Sequence, residues 1–390
     1  MTIGIDKIGF ATSQYVLKLQ DLAEARGVDP EKFSKGLLLN EISIAPLTED
    51  IVTLAASASN SILTDKEKEE IDMVIVATES GIDQSKAAAV FVHGLLGIQP
   101  FARSFEIKEA CYGATAALHY AKLHVENSPE SKVLVIASDI AKYGVETPGE
   151  PTQGAGSVAM LITQNPRIMA FNNDNVAQTR DIMDFWRPNY STTPYVNGVY
   201  STQQYLDSLM TTWNEYKKRY DWTMDDFAAI CFHLPYPKLA LKGLRKMMDK
   251  TLSKEKQDSL QENFDKSILY SQMIGNIYTG SLFLGLLSLL ENAETLKAGD
   301  KIALYSYGSG AVSEFFSGEL VEGYEAYLDK ERLSKLKQRT ALSVADYEKV
   351  FFEDLQLDES GSAQFAAYEN QDYALVEIVD HQRRYSKVEK

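Results

Sequence analysis

Ile71-Asp-Met-Val-Ile-Val-Ala-Thr78 is a near-continuous apolar run rich in β-branched residues. A run of this length suits a strand buried on both faces of a sheet. Lys132-Val-Leu-Val-Ile-Ala-Ser138 and Ser157-Val-Ala-Met-Leu-Ile-Thr163 read the same way, and helical patterns lie between the runs, at Ser85 to Leu96 and Ala114 to Val125. Strands alternating with helices predict α/β architecture. Farther along, Asp226-Phe-Ala-Ala-Ile-Cys-Phe-His233, Lys301-Ile-Ala-Leu-Tyr-Ser-Tyr307 and Tyr373-Ala-Leu-Val-Glu-Ile-Val379 are strand candidates, and Gly280 to Ala293 is a strongly apolar central helix. The chain therefore reads as a weak duplication, each half placing strands around one buried helix. Residues 166 to 205, with Asn172-Asn-Asp-Asn and Asn189-Tyr-Ser-Thr-Thr-Pro, form the least regular region and read as a connection. The stretch Leu355-Gln-Leu-Asp-Glu-Ser-Gly reads as a solvated loop.

Composition sets the limits. With 390 residues, 45% hydrophobic and 24% charged, the chain is ordinary globular material of two to three domains at about 150 residues each. Its net charge of −16 repels phosphate backbones and anionic lipid, which argues against nucleic-acid and membrane partners. Two cysteines make no disulfide framework and predict a reduced, cytoplasmic setting. The first residues, Met1-Thr-Ile-Gly-Ile-Asp-Lys, do not read as a signal peptide, and Leu282 to Leu290 is shorter than the ~20 residues a bilayer requires.

Cys111 follows a short strand ending near Ile107 and precedes a helix, where dipole and free N–H groups would lower a thiol pKa. That makes it a candidate thioester-forming nucleophile; a buried core cysteine explains the spacing equally well. Cys231 has only the structural reading. Glu79 ends the first strand, where a desolvated carboxylate suits a general base for a carbon acid, or else a salt-bridged strand end. His233 ends another apolar strand, where α/β sheets present functional groups. Lys238 and Lys242 share one helix face, either as an anion site or as a solvated face. Asn276, in Gly275-Asn-Ile-Tyr-Thr-Gly-Ser281, is a helix cap or an amide aimed at a carbonyl. Ser309, in Tyr305-Ser-Tyr-Gly-Ser-Gly310, sits in a hairpin turn that can also aim a backbone N–H at an oxyanion. His93, His119, His124 and His381 show no metal-ligand spacing.

Taken in order, Gly27-Val-Asp-Pro30, Ala77-Thr-Glu-Ser80, Glu109-Ala-Cys-Tyr112, Glu150-Pro-Thr-Gln-Gly-Ala-Gly156, Asp184-Phe-Trp-Arg-Pro188, Phe232-His-Leu-Pro, Gly275-Asn-Ile-Tyr-Thr, Ser306-Tyr-Gly-Ser-Gly310 and His381-Gln-Arg-Arg-Tyr385 resemble the bacterial type of 3-hydroxy-3-methylglutaryl-CoA (HMG-CoA) synthase, nearly end to end. The resemblance implies the thiolase-like α/β fold, five layers (αβαβα) built from two similar halves and paired as a homodimer. On that pattern residues 1–165 form the first half, 166–220 a connecting and substrate-pocket segment, and 221–390 the second half. It also implies an acyltransferase of the mevalonate route to isoprenoids, condensing acetyl-CoA with acetoacetyl-CoA and water. By family match, Cys111 carries the acetyl group, Glu79 is the base and His233 donates toward the new alkoxide. Asn276 lies near the acetoacetyl thioester, Ser309 completes the oxyanion donors, and Tyr143 borders the acyl site. Asp29, Thr152, Ser201, Lys238 and Lys242 line the CoA pocket. No cofactor beyond the CoA substrates and no metal is implied. A ketoacyl synthase III-like enzyme shares the Cys-His-Asn set but has no need of Glu79. A non-catalytic acyl-CoA-binding scaffold and a cysteine protease remain as other readings.

Overall fold

The structure is a computed structural model that describes residues 2–248, 251–368 and 371–388. Ten strands share one mixed hydrogen-bonded sheet: β1 (Ile3–Ala11), β2 (Ile71–Ala77), β3 (Arg103–Ile107), β4 (Lys132–Ala141), β5 (Gly154–Gln164), β6 (Met169–Phe171), β7 (Val176–Thr179), β8 (Ala229–Phe232), β9 (Lys301–Gly308) and β10 (Val312–Leu320). Their spatial order is β8-β9-β10-β6-β1-β5-β4-β2-β3, with β7 pairing β10. In the first half β2 runs parallel to β3 and β4, and β5 returns antiparallel to β4. In the second, β8 runs parallel to β9, and β10 returns antiparallel to β9.

Strand period dictates the layers. On β2 and β4, Met73, Ile75, Val133 and Val135 face one core, whereas Val74, Val76, Leu134 and Ile136 face another. The first set packs on α3 (Gly113–Asn127) and α6 (Ser281–Asn292); the second packs on α1 (Ile51–Asn60) and α2 (Ala88–Leu96). The second half splits likewise. Cys231, Ile302 and Leu304 join the α3/α6 core, while Ile230, Phe232, Ala303 and Tyr305 pack on α4 (Gly198–Tyr220) and α5 (Pro237–Met247). Helices, sheet, helices, sheet and helices therefore stack as five layers, with α3 and α6 in the middle. The central position explains why α6 is apolar all round, buried from Ser281 to Glu291.

The two halves also repeat their connections. Helix α3 precedes β4 and helix α6 precedes β9; Glu79 follows β2 and His233 follows β8. Duplication thus brings four chain positions to corresponding places at the strand ends and helix starts.

Several boundaries differ from those read in the sequence. The strand predicted from Asp226 begins at Ala229, because Met224–Asp226 forms a 3-10 turn closed by a capping box with Thr223. The helix predicted from Ser85 begins at Ala88, since Asp83 ties the backbone N–H of Ser85 and Lys86 into a turn. The region 166–205 is less a loop than it reads: β6 bridges the two halves, β7 pairs β10, and Gly198 opens a 23-residue helix capped by Asn197. The final strand spans Tyr373–Val379 as read and pairs with Gln382–Lys387, while the acidic stretch at 355–361 is loop. Among the described residues, no helix is long and apolar enough to cross a membrane.

Candidate functional site

Parallel β2 ends at Ala77, and the next residues turn over the buried carboxylate of Asp139 at the end of β4. Asp139 accepts from the hydroxyls of Thr78, Ser80 and Thr279 and from the N–H groups of Glu79 and Thr279. This hub fixes Glu79, whose Oε1 accepts from the Cys111 thiol at 3.1 Å. Burial first, then the neighbouring Asp139 charge, pushes the Glu79 carboxyl up from 4.5 to about 8. Arg187 opposes that rise: it donates to the Glu79 carbonyl oxygen at 2.6 Å and lies 3.9 Å from Oε2.

Cys111 sits two residues before α3, after Ala110 at a left-handed φ of 41°. Burial pushes its thiol well above the ordinary value, and the Glu79 carboxylate pushes the same way. This corrects the reading of a thiol acidified by a helix terminus. Desolvation and a neighbouring anion outweigh the dipole, so the resting sulfur is a protonated donor with an acceptor waiting beside it.

The second half closes the site. Gly275, at φ 84°, lets the chain turn against the Gln153 carbonyl, where a Cβ would approach to 1.9 Å. Asn276 then donates from Nδ2 to the Tyr143 hydroxyl at 2.8 Å, and its Oδ1 accepts from Tyr278 N and the Ser281 hydroxyl. Its own N–H donates to the Thr152 carbonyl at 3.1 Å. The Tyr143 loop is held by Gln153, whose Oε1 accepts the N–H groups of Tyr143 and Gly144. The β9–β10 hairpin carries Ser309 against the Cys111 loop so closely that a Cβ on Gly308 would lie 2.7 Å from Tyr112 N. Asp184 anchors that turn, accepting from Gly310 N at 2.8 Å and from the Tyr307 hydroxyl at 2.6 Å.

His233 is 3% exposed at the end of β8, its N–H donating to the Tyr305 carbonyl and its carbonyl accepting from the Tyr205 hydroxyl. Burial pulls its imidazole down from 6.5 to about 3, so the ring is neutral near neutral pH. Its Nδ1 has no hydrogen-bond partner among the described residues. Among the described residues, Asp29, Ser201, Lys238 and Lys242 form no hydrogen bond or ion pair with the groups around Cys111. Asp29 accepts from Glu31 N in an exposed turn, and Ser201 lies in the first turn of α4. Lys238 and Lys242 lie on α5, half-buried and exposed, and the Lys238 N–H docks on the Leu37 carbonyl. Neither lysine has a carboxylate partner among the described residues, so this basic face stands free.

Cys231 is fully buried in the central core, as expected for a structural thiol. His119 and Tyr112 converge on the buried Glu314, and His124 meets Asp72. Among the described residues, no group of three or more metal-ligating side chains gathers. Sequence reasoning gave no role to Asp139, Asp184, Arg187 or Glu314. Asp184 and Arg187 sat inside a quoted motif, but their partners lie 60 or more positions away in the chain, so spacing carries no signal of them.

Family models for the N-terminal and C-terminal parts of hydroxymethylglutaryl-coenzyme A synthase match residues 2–167, and 175–266 and 244–386, respectively. A hydroxymethylglutaryl-CoA synthase of Enterococcus faecalis is 55% identical over 360 residues, covering 92% of this chain and 94% of its own. A crystal structure of an HMG-CoA synthase complexed with CoA superposes with a TM-score of 0.98 at 68% identity, covering 100% of both chains. MvaS in complex with 3-hydroxy-3-methylglutaryl coenzyme A gives 0.88 at 32% identity, covering 100% of this chain and 99% of that one.

Proposed function

From the premise that this chain belongs to the hydroxymethylglutaryl-CoA synthase family, we propose how its own residues condense acetyl-CoA with acetoacetyl-CoA and water into HMG-CoA and free CoA. The observation that carries the reading is the 3.1 Å hydrogen bond from the Cys111 thiol to a buried Glu79 carboxylate titrating near 8.

Cys111 attacks the acetyl-CoA carbonyl while Glu79 accepts the thiol proton, and that proton leaves with the CoA thiol. The acetyl oxygen sits against backbone N–H groups of Cys111 and Ser309, which stabilise the negative charge that develops there. Acetoacetyl-CoA then enters, and the deprotonated Glu79 removes a proton from the acetyl methyl. A carboxylate raised toward neutrality is a stronger base than an ordinary one, which suits so weak a carbon acid. The carbanion attacks the ketone carbon, and His233, neutral because buried, donates its ring N–H toward the new alkoxide. Asn276, fixed by Tyr143 and Ser281, orients the acetoacetyl thioester. Water cleaves the Cys111 thioester and releases the product. Lys238 and Lys242, which have no carboxylate partner among the described residues, receive the CoA moiety with Asp29, Thr152 and Ser201; that such a chain takes an acyl-CoA is supported by the solved relatives with CoA and HMG-CoA. The reaction asks for no cofactor. The reading also includes a homodimer in the cytoplasm, acting in the mevalonate route, and residues 1–165 and 221–390 as the two functional halves.

The test is direct. The protein is incubated with acetyl-CoA and acetoacetyl-CoA and the product identified by mass, with labelled acetyl traced to a Cys111 peptide. Label on another residue, or consumption of a malonyl thioester instead, would overturn the reading.

A further inference from the structure

We propose that Arg187 is a positioning residue for the base: it pins the strand end that carries Glu79, supplies the one positive charge facing its carboxylate among the described residues, and so raises the share of Glu79 that is ionised at a given pH. The inference deepens the reading of Glu79 as base and rests on it.

Three observations converge. Arg187 Nη2 donates to the main-chain oxygen of Glu79 at 2.6 Å, a tie to the very residue whose side chain must be aimed. Among the described residues, it is the only basic group within 4.0 Å of that carboxylate, at 3.9 Å from Oε2. The segment that carries Arg187 is itself anchored on both halves. The same short segment begins at Asp184, anchored on Tyr307 and Gly310, and Phe185 packs edge-on against Tyr143 at 6.0 Å. One segment of four residues therefore links the Ser309 turn to the base.

The surroundings make the charge count. Asp139 faces Glu79 from β4, and Cys111 and Glu109 face it from the turn before α3. The phenols of Tyr143 and Tyr278 complete the enclosure. Burial and the Asp139 field are opposed first by the Cys111 thiol hydrogen bond and then by Arg187, which is the one positive charge among these groups. An opposite charge at such a distance moves a carboxyl by roughly one to three pH units. Without it, the base would stay protonated well above the pH near 8 at which it now ionises.

The experiment is single-turnover condensation by pre-acetylated enzyme on addition of acetoacetyl-CoA, followed against pH. Arg187→Met and Arg187→Gln should both move the acidic limb of the rate upward by ~1 pH unit or more. The rate at neutral pH then falls about tenfold and recovers toward wild type in alkali. Arg187→Gln keeps a donor for the Glu79 carbonyl, so the shift isolates charge even if the methionine variant folds poorly. Arg187→Lys keeps the charge and should leave the limb near its wild-type position. A uniform loss at every pH, with the limb unmoved in the methionine and glutamine variants, would overturn the proposal. So would a lysine variant shifted as far as the methionine one. Glu79→Gln is the control that separates the two layers. If it leaves a wild-type profile, the base reading itself is wrong; if it removes the limb while the Arg187 variants do not shift it, only the role of Arg187 falls.

Discussion

Glu79 is asked to serve two steps, and its environment is a compromise between them. As an anion it raises the Cys111 thiol, yet it is also the acceptor for that thiol's proton. Glu79→Gln removes both effects, so they partly cancel in acetyl transfer and do not cancel in condensation. The expected outcome is condensation slowed by at least ~10²-fold, the lower end of general-base losses, with a distinctly smaller loss in formation of acetyl-Cys111. Quenched-flow measurement of the two steps checks this, and equal losses would count against it. The same residue carries a stability signature. Glu79 titrates near 8 in the fold against an ordinary 4.5, so the folded chain holds a proton that the unfolded chain has lost between those values. That contribution favours folding at low pH and disappears as pH rises through about 8. The melting temperature of Glu79→Gln should therefore gain on wild type as pH rises from about 5 to about 8 and level off above. Cysteine identity is tested more simply. Cys111→Ser should abolish acetylation, since a hydroxyl is far less readily ionised than a thiol, whereas Cys231→Ser, deep in the central core, should leave acetylation in place.

At the level of elements, the site depends on a hairpin from one half closing on a loop from the other. A Cβ at Gly308 would lie 2.7 Å from Glu109 O and from both Tyr112 N and Cβ. Backbone cannot yield as a flexible side chain does, so Gly308→Ala must push the Ser309 turn away from Cys111. A shift on the order of 1 Å at a reacting centre costs about 10²-fold. We expect that loss in turnover with the Michaelis constants little changed, because Lys238 and Lys242 lie elsewhere. Unchanged turnover would mean that Ser309 serves only as a hairpin residue. The complementary pair, Lys238→Ala and Lys242→Ala, should weaken CoA-substrate binding and leave turnover near wild type. If both variants keep wild-type Michaelis constants, α5 presents only a solvated face.

Across the whole molecule, the C-terminal hairpin is fastened to the first half by carboxylates. Asp50 caps α1 through Val52 and Thr53 N–H and accepts from the Tyr385 hydroxyl at 2.6 Å and from Arg383 at 3.2 Å. Beside it Glu49 is pushed up to about 7, by burial first and then by the Asp372 and Asp50 charges, against a hydrogen bond from Ser13. Its folded value lies above the ordinary 4.5, so its contribution to stability is lost as pH rises through about 7. Amides of residues 373–387 should therefore exchange faster at pH ~8 than at pH ~6 after correction for intrinsic rates, and Glu49→Gln should remove that difference. Equal protection at both pH values in wild type would show that Glu49 bears no part in docking the hairpin.

The sequence by itself determined many of the strands and helices of the two halves, though not β1, α1 or α4, because burial on both faces writes continuous apolar runs such as Ile71–Ala77 and the largely apolar α6. It also marked the chemistry-bearing positions, because Glu79, Cys111, His233 and Asn276 stand at the ends of those elements, where side chains leave the core. It left open whether each was catalytic or merely structural. Only the tertiary structure decided how these groups act on one another. The thiol lies against Glu79, and desolvation and that carboxylate outweigh the helix terminus beside it, so its pKa rises where the local pattern predicted a fall. Arg187, Asp139, Asp184 and Glu314 acquired their places only when strands far apart in the chain came together. Hydrophobic periodicity is a local property of a chain, whereas an electrostatic field in a desolvated pocket belongs to whatever the fold encloses.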